Sequence, residues 1–337
     1  MSIYYFFKSI YFRILVLLVY LHLSLVCTAG EQGHLATLTR HTKSINSINI
    51  TTDSKYLVSG GADSTIRIWD LNTLREIRKI TGQKTVILST VLVKDGSMIV
   101  SGGMEAQGRV WDFKTGSPMR TFDGHSIEIR GIAYSKKKNY LATGSTDRTV
   151  LVWDFLTGNC LKTIRNKVPV ITLDFSPNGN LLATGGWEHL VQIWDLTWNN
   201  VCKTGYGHTL SVRSVKFSPN GLILASGSED RTIRIWNPIS AECQVIIPAH
   251  DDFITAIAFS PDGQILASGS FDKTINLWDT YSWQLIRTIS NQDAGVTALT
   301  FTPDSKWIIS GDDYGKIKIW ITEPINYAIN RLLKEKK

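Results

Sequence analysis

Seven tryptophans close seven look-alike segments of this chain: Trp69, Trp111, Trp153, Trp194, Trp236, Trp278 and Trp320, spaced by 42, 42, 41, 42, 42 and 42 residues. A period this regular constrains the fold more than any bulk property, because each repeat must be one supersecondary unit that buries its apolar face against its neighbours. Aspartate follows directly in five repeats (Asp70, Asp112, Asp154, Asp195, Asp279), and Asn237 and Ile321 take its place in the other two. Residues 253–301 show the code inside one period. FITAIAF alternates by twos, and SPDG turns the chain. QILASGS is a second apolar run and FDKT a tight turn. INLWD and WQLIRTI then read as third and fourth strands. Alternation, β-branched residues and Gly/Pro/Asp punctuation agree. Short, even strands with no helices between them favour a closed radial array, so the expected class is all-β.

The period and its terminal Trp-Asp resemble the WD-repeat (WD40-type) β-propeller family over residues 34–322. The resemblance implies a seven-bladed β-propeller of four-stranded antiparallel blades. It also implies how the ring closes. HLATLTRHT, before the first full repeat, matches the fourth strands CLKTIRN and LIRTISN, and no such strand follows Trp320. In WD-repeat proteins an N-terminal strand completes the last blade. Residues 34–40 are therefore expected beside Lys316–Ile321, which removes exposed edges.

Four repeats carry what looks like hydrolase chemistry: His41, Ser59, Asp63 and Trp69; His125, Thr143, Asp147 and Trp153; His208, Ser226, Asp230 and Trp236; His250, Ser268, Asp272 and Trp278. In each set His precedes Trp by 28 residues, Ser or Thr by 10 and Asp by 6. Ser/His/Asp can activate a nucleophile. Four copies, one with Thr, suit structure better. The resemblance implies that Asp accepts from His and from backbone amides, His bonds the hydroxyl, and the hydroxyl bonds the indole N–H, which satisfies buried polar groups and pins register. Three repeats depart. Gln83 and Glu105, Asn166 and Glu188, and Gln292 and Tyr314 stand at the His and Asp positions, while Ser101, Thr184 and Ser310 are kept. These blades are expected to be held mainly by apolar packing and to open more easily.

No other catalytic pattern appears: there is no P-loop, Rossmann glycine pattern, HExxH or GxSxG. Glu188-His189 reads as an exposed polar turn, and the sequon Asn49-Ile50-Thr51 falls inside a strand. Cys160, Cys202 and Cys243 recur at nearly the same place in successive repeats, too far apart for a disulfide, and no metal-binding spacing is present. No cofactor, metal or small-molecule substrate is expected. Net charge is +7, of which +1 falls in residues 1–33 and +2 in residues 323–337. The remainder is spread over loops, with one short run at Lys136, Lys137 and Lys138, so a nucleic-acid stripe is not expected.

The resemblance also directs attention to one face of the ring, formed by the loop before each first strand and the loop between the second and third. Three positions per blade usually point there: the third and fifth residues after the His position and the residue before the turn acid. Before the acid stand Ala62, Met104, Thr146, Trp187, Glu229, Phe271 and Asp313; third after the His position are Glu128, Pro169, Ser211 and Phe253; fifth are Arg130, Ile171 and Arg213. Aromatics and arginine dominate binding hot spots, so Arg130, Ile171, Trp187, Arg213, Phe253 and Phe271, in blades three to six, form the expected partner-binding set.

Residues 1–33 stand outside the repeats. Lys8 and Arg13 precede an apolar stretch, Ile14 to Val26, and small residues allow a cut after Ala29. This reads as a signal peptide or single membrane anchor, so the expected location is membrane-associated or exported (periplasm, lumen or secreted), with membrane contact if the segment is uncleaved. A cytoplasmic location is the alternative, since most WD-repeat propellers are intracellular. Residues 323–337 place Ile325, Ala328, Ile329, Leu332 and Leu333 at helical spacing, a short amphipathic helix with a basic tail. The expected function is a non-catalytic scaffold binding other proteins through its loop faces. Two alternatives are an exported propeller acting as ligand sensor or enzyme through its central channel, and a ribonucleoprotein-associated propeller. The channel reading needs convergent acids, histidines or metal ligands on the innermost strands, and the sequence offers none beyond the four sets.

Overall fold

Each period folds as one antiparallel sheet because its four apolar runs are joined by turns too short for any other connection. The computed structural model describes residues 33–197 and 202–322. Residues 1–32, with nearly all of the expected apolar segment, and 323–337, with the expected helix and basic tail, lie outside the described residues. In the described residues twenty-eight strands, β1 to β28 in chain order, make seven four-stranded sheets. The architecture is an all-β seven-bladed propeller. Six sheets run in sequence order, as in β2-β3-β4-β5 (Ile45–Ile50, Tyr56–Gly61, Ile66–Asp70, Arg75–Ile80). The seventh does not: β1 (His34–Thr39) lies beside β28 (Lys316–Ile321) in the sheet β1-β28-β27-β26. The first strand of the chain is thus the outermost strand of the last blade.

The core lies between blades. Among the described residues seven buried clusters occur, each shared by two neighbouring blades. Burying an Ile or Val completely stabilises by about 1.5–3 kcal/mol, and each interface holds several. One glycine per blade makes the approach possible. A side chain at Gly269 would come within 2.5 Å of Val296 in the next blade, and one at Gly311 within 2.7 Å of Ile45. The second contact joins blade seven to blade one by the same packing used everywhere else in the ring.

Two polar devices reinforce these interfaces. On the innermost strands, Thr255 and Thr297 donate to the carbonyls of Val296 and Ile45, and Asn46 donates to that of Ile87. On the outermost strands, basic side chains reach backbone carbonyls at or just beyond the end of the third strand of the next blade. Arg78 donates to the carbonyl of Thr115 (2.9 Å), Arg120 to those of Phe155 and Leu156, Lys162 to that of Leu196 (2.5 Å) and Arg287 to that of Ile321 (2.9 Å). Arg120 also stacks over Phe122 and Phe155. Charge-assisted bonds of this kind are stronger than neutral ones. These latches were not anticipated. The signal was present as a basic residue recurring in the fourth strand.

Candidate functional site

The four repeated sets are wired in the order that chemistry dictates. The His Nδ1 atoms lie 2.7–3.0 Å from the Asp carboxylates. The His Nε2 atoms lie 2.7–2.8 Å from the hydroxyls of Ser59, Thr143, Ser226 and Ser268. The indole N–H groups donate to the same hydroxyls at 2.8–3.0 Å. An ionised carboxylate only accepts, so Nδ1 carries the proton, Nε2 accepts from the hydroxyl, and the hydroxyl oxygen accepts the indole N–H. This is also the proton order of a hydrolase triad. Yet all four hydroxyl residues are 0% exposed. An indole covers each oxygen, which closes this route to a nucleophile.

Each set has a fifth member that sequence reasoning missed. Thr65, Thr149, Thr232 and Thr274 donate to the Asp Oδ1 at 2.6–2.7 Å. The signal is Asp-x-Thr, present in the four wired blades and absent from the other three. Each Asp also accepts the amide after the His, from Thr42, Ser126, Thr209 or Asp251. Burial acts to raise the carboxyl of Asp272, but His250, Thr274 and that amide outweigh it and bring it down to about 2. Asp63, Asp147 and Asp230 are also lowered, for the same reasons. Burial holds His41 and His208 below their ordinary 6.5, against the pull of Asp63 and Asp230.

A pH dependence follows. As pH falls below 6.5 the unfolded chain protonates these histidines while the folded chain resists. Below 3.8 the unfolded Asp272 takes a proton that the folded one refuses until about 2. The folded state therefore binds fewer protons, and its stability drops on acidification. Asp174 and Asp312, pushed up by burial, act in the opposite sense, so the wiring is read by comparison: His208→Gln should flatten the part of the fall in melting midpoint that begins near 6.5, and an unchanged profile would contradict this wiring.

Blades two and seven, expected to rely mainly on apolar packing, each keep a shortened polar chain beside it. Ser101 donates to Gln83 Oε1 and accepts the Trp111 N–H, both at 2.8 Å. Ser310 makes the same pair with Gln292 and Trp320 at 3.3 and 3.4 Å. A glutamine amide oxygen accepts as an imidazole nitrogen does. Glu105 takes the loop amide of Lys84 and an ion pair from Arg109, replacing the aspartate. Blade four departs most: Trp194 reaches Thr184 at 3.2 Å, while Asn166 Oδ1 is buried without a partner. Glu188 stands exposed in the expected turn, but His189 after it is half-buried at φ 64° with an unpartnered Nδ1.

Around the channel mouth the loops come together as follows. In six blades the amide before the turn acid bonds the loop that precedes the first strand, for example Phe271 N–H to the Phe253 carbonyl at 3.0 Å, so both loops share one face. Every innermost strand carries a bulge at its second residue, between Ile129 and Gly131 and between Val212 and Ser214 among others. The bulged residues are Asn46, Leu88, Arg130, Ile171, Arg213, Thr255 and Thr297, and all line one central cavity of about 460 Å³. A bulge re-aims its side chain. Phe271 and Asp313 complete the mouth.

The structure thus gathers Arg130, Ile171, Arg213 and Phe271 at the cavity. Trp187 lies beside them, with the Arg130 guanidinium 5.9 Å from its ring centre. Phe253 is on the same face but not in the cavity. Phe271 also leans on the next blade, where a side chain at Gly295 would meet its ring at 2.3 Å. One acid on the innermost strands was not singled out in the sequence. Asp174 lines the channel, accepts the amide of Phe217 (2.9 Å) and pairs with Lys216 (3.4 Å). Its carboxyl is pushed up by burial, against the pull of Lys216. Among the described residues no cluster of three or more potential metal ligands occurs.

No curated protein matches the chain. The family model described as WD40: WD domain, G-beta repeat, matches residues 32–70, 116–154, 158–195, 199–237, 241–279 and 283–320. The stretch left unmatched carries blade two, the blade with Gln83 and Glu105. The matched segments span more than half of the chain, and seven blades of four strands surround one channel; the chain belongs to the WD40 repeat family.

Proposed function

We propose that this protein is a non-catalytic scaffold that captures other proteins on the loop face around the channel mouth, centred on blades three to six. WD40 propellers generally mediate protein–protein interaction and are typically non-catalytic. One observation carries the placement. Trp187 is 47% exposed on a loop, against an arginine that is itself at the mouth. A loop gains nothing in folding from an exposed indole, whereas a partner gains a large rigid contact. Met104, Ile127, Leu210, Phe253 and Tyr314 are exposed on the same set of loops. The channel reading has less support, since Thr255, Thr297 and Asn46 are occupied in joining blades.

Affinity capture from the native host tests this, with the full chain as bait. Trp187→Ala and Phe253→Ala together should weaken recovery of the partner by roughly thirtyfold in affinity, with an unchanged melting curve. Equal recovery would move the site elsewhere.

The location is part of the same proposal. Residues 1–33 would carry the ring to or across a membrane; among the described residues no helix is long and apolar enough to cross one. Mass spectrometry of the mature chain should find Gly30 first if the segment is a cleaved signal. An intact Met1 on a soluble chain would sink the export reading.

A further inference from the structure

We infer that the channel mouth between blades three and five is a receptor for a carboxylate side chain of the partner protein, gripped between Arg130 and Arg213. The inference rests on the loop-face reading above and names the chemistry that face selects.

Position comes first. Arg130 and Arg213 occupy the bulged second residue of their strands, β10 (Ile129–Ser135) and β18 (Val212–Phe217), and both line the cavity. The same position elsewhere holds Asn46, Leu88, Ile171, Thr255 and Thr297, none charged. Asn46, Thr255 and Thr297 there bond the neighbouring blade, but among the described residues the two arginines make no such bond. Two charged forks in a ring of seven otherwise uncharged positions are not part of how the blades are joined.

Partnering comes second. The closest approach of Glu128 to Arg130 and of Glu229 to Arg213 is at Nε, 3.5 Å in each case. Arg130 Nε has no hydrogen-bond partner. Among the described residues nothing hydrogen-bonds the terminal nitrogens of either guanidinium. Burial lowers the pKa of Arg213 and Glu229 opposes it, while the charge of Arg130 adds a smaller lowering, a repulsion between the two cations. A planar carboxylate accepts two parallel N–H bonds from such forks and removes that repulsion.

The surroundings decide which anion fits. Ile171 lies between the arginines in blade order and offers no competing acceptor, and Trp187 flanks Arg130. The matching partner segment pairs an acidic residue with an apolar neighbour. Glu128 and Glu229 reduce the positive charge of the mouth, and Asp313 lines it from blade seven. A monoanion therefore suits the site better than a dianionic phosphate.

The test uses arrays of acetylated decapeptides with random flanks and a fixed central Glu, Asp, Gln, Lys or phosphoserine, probed with the full chain. Glu and Asp arrays should be enriched. For the best Glu peptide, measured by fluorescence anisotropy, Glu→Gln should cost roughly tenfold or more. Arg130→Gln with Arg213→Gln should cost the same, and in that variant the peptide's Glu→Gln change should have no further effect. A merely structural role for the arginines would not produce that coupling. If the Gln pair unfolds the ring, Arg130→Lys with Arg213→Lys keeps the charge but not the fork and should still bind weakly, with steeper salt dependence. Capture indifferent to charge, capture that requires phosphoserine, or no capture overturns the inference. Loss of capture with Trp187→Ala alone, while Glu→Gln is silent, removes the carboxylate receptor and leaves the loop-face reading. Indifference to Trp187→Ala as well removes both.

Discussion

Replacing Trp236 by alanine should destabilise the ring by about 3–5 kcal/mol, and the same change at Trp194 should cost clearly less. Trp236 is 0% exposed, and its ring fills space that any side chain at Gly205 would invade, at 2.7 Å. It packs in the cluster between blades four and five with Val191, Ile193 and Val215. Its N–H caps the chain Ser226–His208–Asp230 at 2.8 Å. Truncation therefore opens a cavity at an interface and leaves a buried hydroxyl one partner short. Trp194 is 8% exposed, and its chain stops at Thr184, 3.2 Å away. Trp236→Phe separates the two contributions; it keeps most of the packing and should cost about 1 kcal/mol for the hydrogen bond. Urea unfolding followed by circular dichroism measures all three. Equal losses at Trp236 and Trp194 would mean that the buried polar chain adds nothing to packing.

The ring was legible in the sequence because its period, its turns and its tryptophans all encode one unit, and local and global signals agreed. The histidine sets were legible because each member sits at a fixed offset on a strand of known register. The part that Gln83 and Gln292 play was not legible, because the residue name hides an amide oxygen that accepts as an imidazole nitrogen does. The latches from Arg78, Arg120, Lys162 and Arg287 were hidden for a different reason. Their acceptors are backbone carbonyls 34–37 residues away, and a carbonyl leaves no mark in a sequence. Arg130 and Arg213 were picked out as hot-spot residues, but their shared bulge was not. A bulge is one extra residue in a ladder, visible only once the register is known. Asp174 was overlooked because it stands among apolar residues in β14 (Val170–Phe175), where alternation predicts an inward face but not that this face lines the central channel.

The clasp should be the place where the ring opens first when it is weakened. Leu38 of β1 is 5% exposed and packs with Ile45 and Trp69 of blade one and Ile309 and Ile317 of blade seven. One side chain thus ties the outermost strand of the last blade to the first blade. Leu38→Ala should cost about 2–5 kcal/mol, while Leu35→Ala, at a 43% exposed position three residues earlier on the same strand, should stay within about 0.5 kcal/mol. Leu38→Asp goes further, because it places an unpaired carboxylate in that cluster. Detachment of β1 bares the edge of β28 along Lys316–Ile321. A bare edge pairs with other chains, so the variant should also associate on a sizing column. Hydrogen exchange distinguishes local opening from global loss. Amides of β28 should exchange faster in Leu38→Asp, while those of β15 (Leu181–Gly186), far around the ring, keep their protection. Uniform acceleration would mean that the blades unfold as one unit and that the seam has no separate stability. Retention is the expected result at β15 because each interface has its own buried cluster, and only one of the seven contains Leu38.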